Sequence, residues 1–312
     1  MKSPILFVIF NRPDTTRAVF EEIRKARPPR LYIAADGPRD NRPGEDALCR
    51  QTRDIVSDID WDCEVKTLFS DKNLGCGIAV SKAISWFFEN EPEGIILEDD
   101  ILPHPDFFLY CDEMLEKYRS DDSVGMIGGH SIIYKDVDRQ ASYGFHSVPQ
   151  IWGWATWRNR WKLFDYKLSG FSEKQLVHAL KNNYRYTTKQ IIFWKIIHHK
   201  MTHSAQDHIW DYQWAIILLS LGKLNVAPYK SLTKNIGFTP DATHTFEARP
   251  EEANMVTHAI LPLSHPNKVE LDYETDQLET INGYRYRRNG AFIKYKLKTL
   301  FVRLGLIRQP QS

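Results

Sequence analysis

The chain has 312 residues, 42% of them hydrophobic and 26% charged, enough for a full core in one large domain or one and a half. Its 41 basic and 40 acidic side chains leave a formal net charge of +1, which argues against a general nucleic-acid role. No run approaches the roughly 20 apolar residues that span a bilayer, and Cys49, Cys63, Cys76 and Cys111 show neither Cys-x-x-Cys nor zinc spacing, so a reduced, cytosolic chain is expected.

Residues 4–10 form a continuous apolar run, the pattern of a parallel strand buried on both faces. Arg12 and Asp14 follow at once, so no secretory signal is read. Asn11-Arg12-Pro13-Asp14 breaks the run, and 15–26 carries helical spacing through Ala18, Val19 and Ile23. A second strand is expected at Arg30–Ala35, ending in Asp36-Gly37-Pro38, then a helix at 50–59 and a third strand at Glu64–Phe69. Asn73-Leu74-Gly75-Cys76-Gly77 opens a helix reaching Phe88, and 95–97 is a fourth strand. Strands alternating with helices predict an α/β fold, a Rossmann-like mostly parallel sheet flanked by helices.

The fourth strand ends in Glu98-Asp99-Asp100 and then turns apolar again at Ile101-Leu102-Pro103. Acids at a strand end are commonly a solvated turn. Between two hydrophobic segments, three adjacent carboxylates repel one another unless a hard divalent cation relieves them, and that cation could also hold a phosphate. Ligands of such sheets bind beyond the carboxyl ends of the strands, so Arg12, Asp36 and the acids are expected on one edge. Arg12 is read as a phosphate or base contact, or as the partner of Asp14. Asp36 is read as a base or ribose contact, or as a turn cap. Gly75-Cys76-Gly77 lacks the third glycine of a dinucleotide fingerprint, and there is no Gly-Lys-Ser/Thr of a P-loop.

This order of strand-Asn-Arg, strand-Asp-Gly, Asn-Leu-Gly and Leu97-Glu98-Asp99-Asp100-Ile101, followed by Pro105-Asp106-Phe107-Phe108, resembles the nucleotide-sugar glycosyltransferases of the GT-A fold. Within them it is most similar to the N-acetylglucosaminyltransferase I family, as a bacterial relative, over residues 3–245. The resemblance implies that Asp100 is the protein ligand of Mn²⁺ (or Mg²⁺), which holds the donor diphosphate. It places Asp99 near the ribose, Glu98 at the donor sugar, Asp36 at the uracil ring and Arg12 as the arginine after the first strand. The histidine which that family carries before the metal strand has no counterpart near Ala79. The chemical need stands apart from the likeness: glycosyl transfer expels a nucleoside diphosphate, and a divalent metal stabilises that leaving charge.

In the second half, 124–129 is a strand ending in glycines, and 150–161 holds four Trp. Trp157 and Trp161, at i,i+4, are expected to plug the core from one helix. Trp152-Gly153-Trp154 precedes that helix, and by the resemblance Trp154 borders the donor sugar. A further helix is expected at 206–222, carrying Asp207 and Asp211, Trp210 and Trp214 at i,i+4. Asp207 has a role as a cap, whereas Asp211 is read as lying past the first turn. The related family carries Trp-Asp-Asp-Trp with its catalytic base here, which transfers to Asp211, with Asp207 second and Trp210 against the donor. A carboxylate suits removal of the acceptor proton, and a single base opposite the leaving group predicts inversion. Burial among aromatics would raise its pKa. Leu224–Pro228 is a last strand. His244, with Asn235 and Gly237 in the same loop, is expected to reach the metal or diphosphate by likeness to other GT-A enzymes. His198, His199 and His203 are read as surface residues.

The expected organisation is a catalytic domain at 1–245 (nucleotide-sugar half 1–130, acceptor half 131–245), then a loop-rich extension at 246–290. A basic amphipathic helix at 291–308 would lie on an anionic membrane or pack on protein. The expected function is metal-dependent, inverting transfer of a sugar from a nucleotide-diphosphate donor, a UDP-sugar such as UDP-GlcNAc, to a glycan or lipid-linked acceptor. The expected setting is bacterial surface polysaccharide assembly, in the cytoplasm or peripheral at the inner face of the membrane. The rivals are a sugar-phosphate nucleotidyltransferase and a non-catalytic carbohydrate-binding protein. The first would need a glycine-rich basic loop after strand one, and the second would not need Asp100 and Asp211.

Overall fold

A computed structural model describes residues 1–133, 137–203, 209–238 and 254–283. The first half alternates as read: β1 (Ile5–Ile9), α1 (Pro13–Ala26), β2 (Arg30–Ala35), α2 (Glu45–Ile55), β3 (Glu64–Phe69), α3 (Cys76–Asn90) and β4 (Glu93–Glu98). There follow β5 (Ile101–Pro103), α4 (Asp106–Tyr118), β6 (Val124–Gly128), β7 (Tyr143–His146), β8 (Trp154–Trp157), α5 (Arg158–Trp161), α6 (Glu173–Asn182), α7 (Thr188–His203), α8 (Asp211–Ser220), β9 (Leu224–Pro228), β10 (Thr233–Asn235) and α9 (Tyr273–Gly283).

Eight strands form one sheet in the order β3-β2-β1-β4-β8-β6-β9-β7. β3, β2, β1 and β4 run parallel, β8 is antiparallel to both its neighbours, and β6 and β9 are parallel with β7 antiparallel at the far edge. The fold is therefore α/β with a mostly parallel sheet, as expected. Alternation along β1 explains its continuous apolar run. Leu6 enters one core with α3, α6, α7 and α8, while Ile5, Phe7 and Ile9 enter the other with α1 and α4. Both faces are covered, so no position on the strand can be polar.

Several expectations need correction. The second helix spans 45–55 rather than 50–59, because buried Glu45 serves Arg39 and Asn11 and hides its start. Trp157 and Trp161 do not share a helix: Trp157 ends β8 and Trp161 closes the short α5. His198 is buried on α7, its Nε2 donating to the Phe171 carbonyl at 2.7 Å, not at the surface.

Within the expected loop-rich extension, Tyr273–Gly283 form the helix α9. Thr275, Asp276, Glu279 and Thr280 of α9 are buried, and His146 Nδ1 meets Glu279 at 2.7 Å. Asp272, just ahead of α9, accepts from Arg139 Nε at 3.1 Å, Tyr229 Oη at 2.7 Å and the Thr275 amide at 3.3 Å. Burial pushes the Asp272 carboxyl up, but Arg139, Tyr229 and Thr275 together hold it down to about 2. Residues 291–308 lie outside the described residues. Among those described, no helix is long and apolar enough to cross a membrane.

Candidate active site

The chain builds outward from β1 to β2 and β3, then crosses back to set β4 on the other side of β1. That reversal places the topological switch point between β1 and β4, where open sheets of this kind bind ligands. Register makes the strand ends level, with Val8 opposite both Ala34 and Glu98. The residues that follow each strand therefore meet at one edge. Arg12, Asp36, Glu98, Asp99 and Asp100 line a single cavity of about 570 Å³, with Phe10, Arg39, Phe69, Asn73, Cys76 and Gly237 among its other walls. This volume falls within the usual range for a small-molecule site.

The three acids have different neighbours. Asp99 is 7% exposed, and its Oδ2 accepts the Phe10 amide at 2.9 Å, tying the end of β4 to that of β1. Asp100 Oδ2 accepts Arg12 Nη1 at 2.7 Å, and its main-chain carbonyl accepts the Ile236 amide at 2.8 Å. Arg12 thus pairs with an acid of the triplet rather than with Asp14, and also stands 3.9 Å from Asp99. Burial, then the like charges of Asp100, Asp99 and Asp211, push the Glu98 carboxyl well above the usual carboxylate range against the pull of Arg12. Burial and Asp100 push Asp99 up as well, against Arg12 and the Phe10 amide.

Behind the acids runs a two-stranded ribbon, β5 with β10, in which Asn235 faces Ile101. It brings Gly237 onto the ion pair. A Cβ on Gly237 would stand 2.5 Å from Asp100 Oδ2 and 2.9 Å from Arg12 Nη1. The Gly237 amide donates to Asn235 Oδ1 at 2.7 Å, which fixes this turn.

Asp36 serves the loop. Its carboxylate accepts the amides of Gly37 and Leu74, both at 2.9 Å, and of Gly75 at 3.1 Å, plus Asn73 Nδ2 at 3.0 Å. Those bonds pin the entry of α3 against the end of β2, and Gly37 has no room for a Cβ because the Lys72 backbone lies 2.5 Å away. The turn-cap reading is the one the geometry displays. Burial pushes the Asp36 carboxyl up despite the amides.

Trp154 and Trp210 are corrected. Trp154 is fully buried and Trp210 is 3% exposed. Their rings stack at 5.8 Å with 24° between planes, and Trp161 and Trp214 complete the cluster. Neither indole lines the cavity. The half-buried Trp152 instead packs beside His130 at 4.5 Å and Phe238 at 6.1 Å.

Asp211 is also corrected in its setting. It is the first residue of α8, not a position past the first turn, so the helix dipole favours its negative charge. Its charge acts on both Glu98 and Cys76, which puts it in electrostatic range of the cavity those two residues line, although it does not line that cavity itself. Burial pushes its own pKa up, against the amides of Tyr212 and of Asp211 itself. Asp207 and His244 lie outside the described residues. Sequence reading missed Arg39, whose guanidinium lies over the Phe10 ring at 5.5 Å and is clamped by Glu45. A buried Glu six residues from an Arg was the only signal, and it is a weak one.

Among the described residues no group of three or more His, Cys, Asp and Glu is arranged to hold a metal ion. In the Asp99-Asp100 pair, Oδ2 of Asp100 is held by Arg12 and Oδ2 of Asp99 by the Phe10 amide, and among the described residues the Oδ1 atoms of both face no hydrogen-bond donor. One or two carboxylates, completed by water and substrate phosphates, is the arrangement that suits Mg²⁺, and carboxylate oxygens suit Mn²⁺ equally. The donor set therefore fits a divalent cation that arrives with a phosphate ligand.

No protein-family model matches the chain, and no curated protein does. Among solved structures, apo UDP-glucose pyrophosphorylase aligns over 76% of this chain and 93% of its own, at 10% identity and a TM-score of 0.39. The same enzyme with UDP-glucose gives 73%, 90%, 10% and 0.39. HddC from Yersinia pseudotuberculosis aligns over 50% of this chain and 77% of its own, at 8% identity and a TM-score of 0.32. Superpositions this loose carry no argument about activity.

Proposed function

We propose that the chain is a nucleotide-sugar transferase, and that its reaction is metal-assisted glycosyl transfer with inversion from a nucleotide-diphosphate sugar to a glycan or lipid-linked acceptor. The observation that carries this reading is the single cavity at the switch point, lined by Arg12, Asp36 and the three acids, with Asp211 near enough for its charge to act on Glu98. The nucleoside end would take the apolar walls at Phe10, Leu68 and Phe69, with Arg39 and Asn73 near. The diphosphate would take the Arg12 and Asp100 end. A divalent cation bound there supplies positive charge against the leaving diphosphate.

The chain's own residues do the rest. Asp211 accepts the proton of the attacking hydroxyl, and its burial makes it a stronger base than an ordinary Asp. Glu98, in charge range of both Asp211 and Asp100, would face the sugar. The Asp99 bond to the Phe10 amide and the seat of Ile236 on Asp100 hold the acids in place before substrate arrives, which is the preorganisation that catalysis requires.

The second reading is a sugar-phosphate nucleotidyltransferase, the activity in the name UDP-glucose pyrophosphorylase. It would use the same cavity. Against it, β1 ends at Ile9 and α1 begins at Pro13, so no loop after β1 is long enough to wrap a triphosphate. A carbohydrate-binding module loses its main support, because Trp154, Trp157, Trp161, Trp210 and Trp214 are buried.

The test is a screen of UDP-, GDP-, CMP- and dTDP-sugars with Mn²⁺, scored by thermal shift and by donor hydrolysis. A parallel arm supplies nucleoside triphosphates with sugar 1-phosphates and scores pyrophosphate. Silence in the first arm with turnover in the second replaces glycosyl transfer by nucleotidyl transfer. Silence in both removes the enzyme reading.

A further inference from the structure

The reading above assigns both members of the Arg12–Asp100 pair to the diphosphate and its cation, and the inference rests on that reading. Arg12 Nη1 is 2.7 Å from Asp100 Oδ2 and 3.9 Å from Asp99 Oδ1. Glu98 is surrounded by the like charges of Asp99, Asp100 and Asp211, with Arg12 as the opposing charge. The guanidinium therefore already holds a positive charge against Asp100 and near Asp99, where a cation on the acids would bind. A carboxylate oxygen that accepts a charged N–H this closely cannot also give its full donor strength to a metal. A divalent ion on Asp100 would moreover repel the guanidinium beside it. Gly237 crowds the pair on one side, where a Cβ would stand 2.9 Å from Arg12 Nη1 and 2.5 Å from Asp100 Oδ2. The open side is the cavity itself, which Arg12 lines and where a diphosphate would offer the guanidinium new oxygens.

We infer that Arg12 and the divalent cation compete for Asp100, and that the donor diphosphate resolves the competition by drawing the guanidinium off. Arg12 is then a positioning residue that makes cation and nucleotide bind interdependently. Linkage requires the effect to be reciprocal: each ligand strengthens the other by the same factor.

The test measures Mn²⁺ affinity of the whole chain from the loss of the free-ion EPR signal, with and without UDP. Arg12→Gln is expected to bind Mn²⁺ alone at least about fivefold more tightly than the parent, and to gain less from UDP. Arg12→Met serves the same comparison should the Gln variant not fold. Lys82→Gln removes another positive charge from the cavity wall and is expected to leave Mn²⁺ affinity within about twofold. Unchanged or weaker Mn²⁺ binding by Arg12→Gln overturns the competition. So does an equal gain in Lys82→Gln, which would point to the general field of the cavity. Asp100→Asn separates the two levels. If it weakens Mn²⁺ binding while Arg12→Gln changes nothing, only the competition fails. If the parent binds Mn²⁺ no better than Asp100→Asn with or without UDP, the metal-assisted reading itself fails.

Discussion

Gly237→Ala tests the site through space alone. The φ of Gly237 lies outside the left-handed region, so alanine meets no backbone penalty there, but its Cβ would stand 2.5 Å from Asp100 Oδ2, 2.7 Å from Asp100 Cβ and 2.9 Å from Arg12 Nη1. Ordinary contact begins near 3.4 Å, so either the turn after β10 or the ion pair must give way by about 0.9 Å. The pair is held from below by the Ile236 amide on the Asp100 carbonyl, so a retreat of the turn also pulls on Asp100. A misplacement of about 1 Å at a reacting centre costs on the order of 10²-fold in rate, which is about 2.7 kcal/mol of transition-state stabilisation. The expectation is a fall in kcat/KM for donor turnover of roughly 10- to 100-fold. The melting temperature should stay within about 3 °C of the parent, because the methyl group disturbs a turn and not the core. Steady-state kinetics and a thermal melt on the same preparation check this. Parent-like kcat/KM would show that the loop does not hold the Arg12 and Asp100 geometry, and would refute the argument.

Asp211→Asn should lower kcat by about 10²- to 10⁴-fold with donor affinity unchanged. Burial raises the Asp211 pKa above 3.8. The base works deprotonated, so kcat/KM should climb with pH on a limb centred above that value, and a limb that survives in Asp211→Asn assigns the base elsewhere. Trp154→Phe should cost about 1–3 kcal/mol in urea unfolding through the cavity it leaves among Trp161, Trp210 and Trp214. Its donor KM should stay put, and a large rise in KM would restore the sugar-platform role. Asp272→Asn should destabilise the fold at pH 7. The carboxyl is held at about 2 against an ordinary 3.8, which at about 1.36 kcal/mol per pH unit amounts to roughly 2 kcal/mol. The folded pKa is the lower one, so this stability is present above pH 3.8 and is lost as pH falls towards 2. Parent and variant should therefore converge in urea melts taken across that window, and equal stability at pH 7 would contradict the anchoring role of Asp272.

Local chemistry made the first half legible. A strand buried on both faces must be apolar throughout, so β1, β2 and β4 announced themselves, and polar residues appear at the residues where each leaves the core: Arg12, Asp36 and Asp99. Parallel pairing then forces those ends onto one edge, and the shared cavity follows from pattern alone. The partner each side chain chooses does not follow, because hydrogen bonds between groups far apart in sequence depend on register and on which loops approach. Asp36 meets Leu74 and Gly75, and Arg12 meets Asp100 across 88 residues. The Trp-rich segments misled because an indole suits a sugar face and a core equally well. Only packing decided for the core, by inserting β8 antiparallel between β4 and β6 and turning Trp154 inward. Asp211 kept its identity as a candidate but changed its setting, since the start of α8 depends on where the chain emerges from the body. The sequence by itself determined the α/β layering and the acid edge. Tertiary structure alone decided that Arg12 is paired with Asp100 beneath Gly237, because only the return of the chain as β10 brings that glycine within contact of the pair.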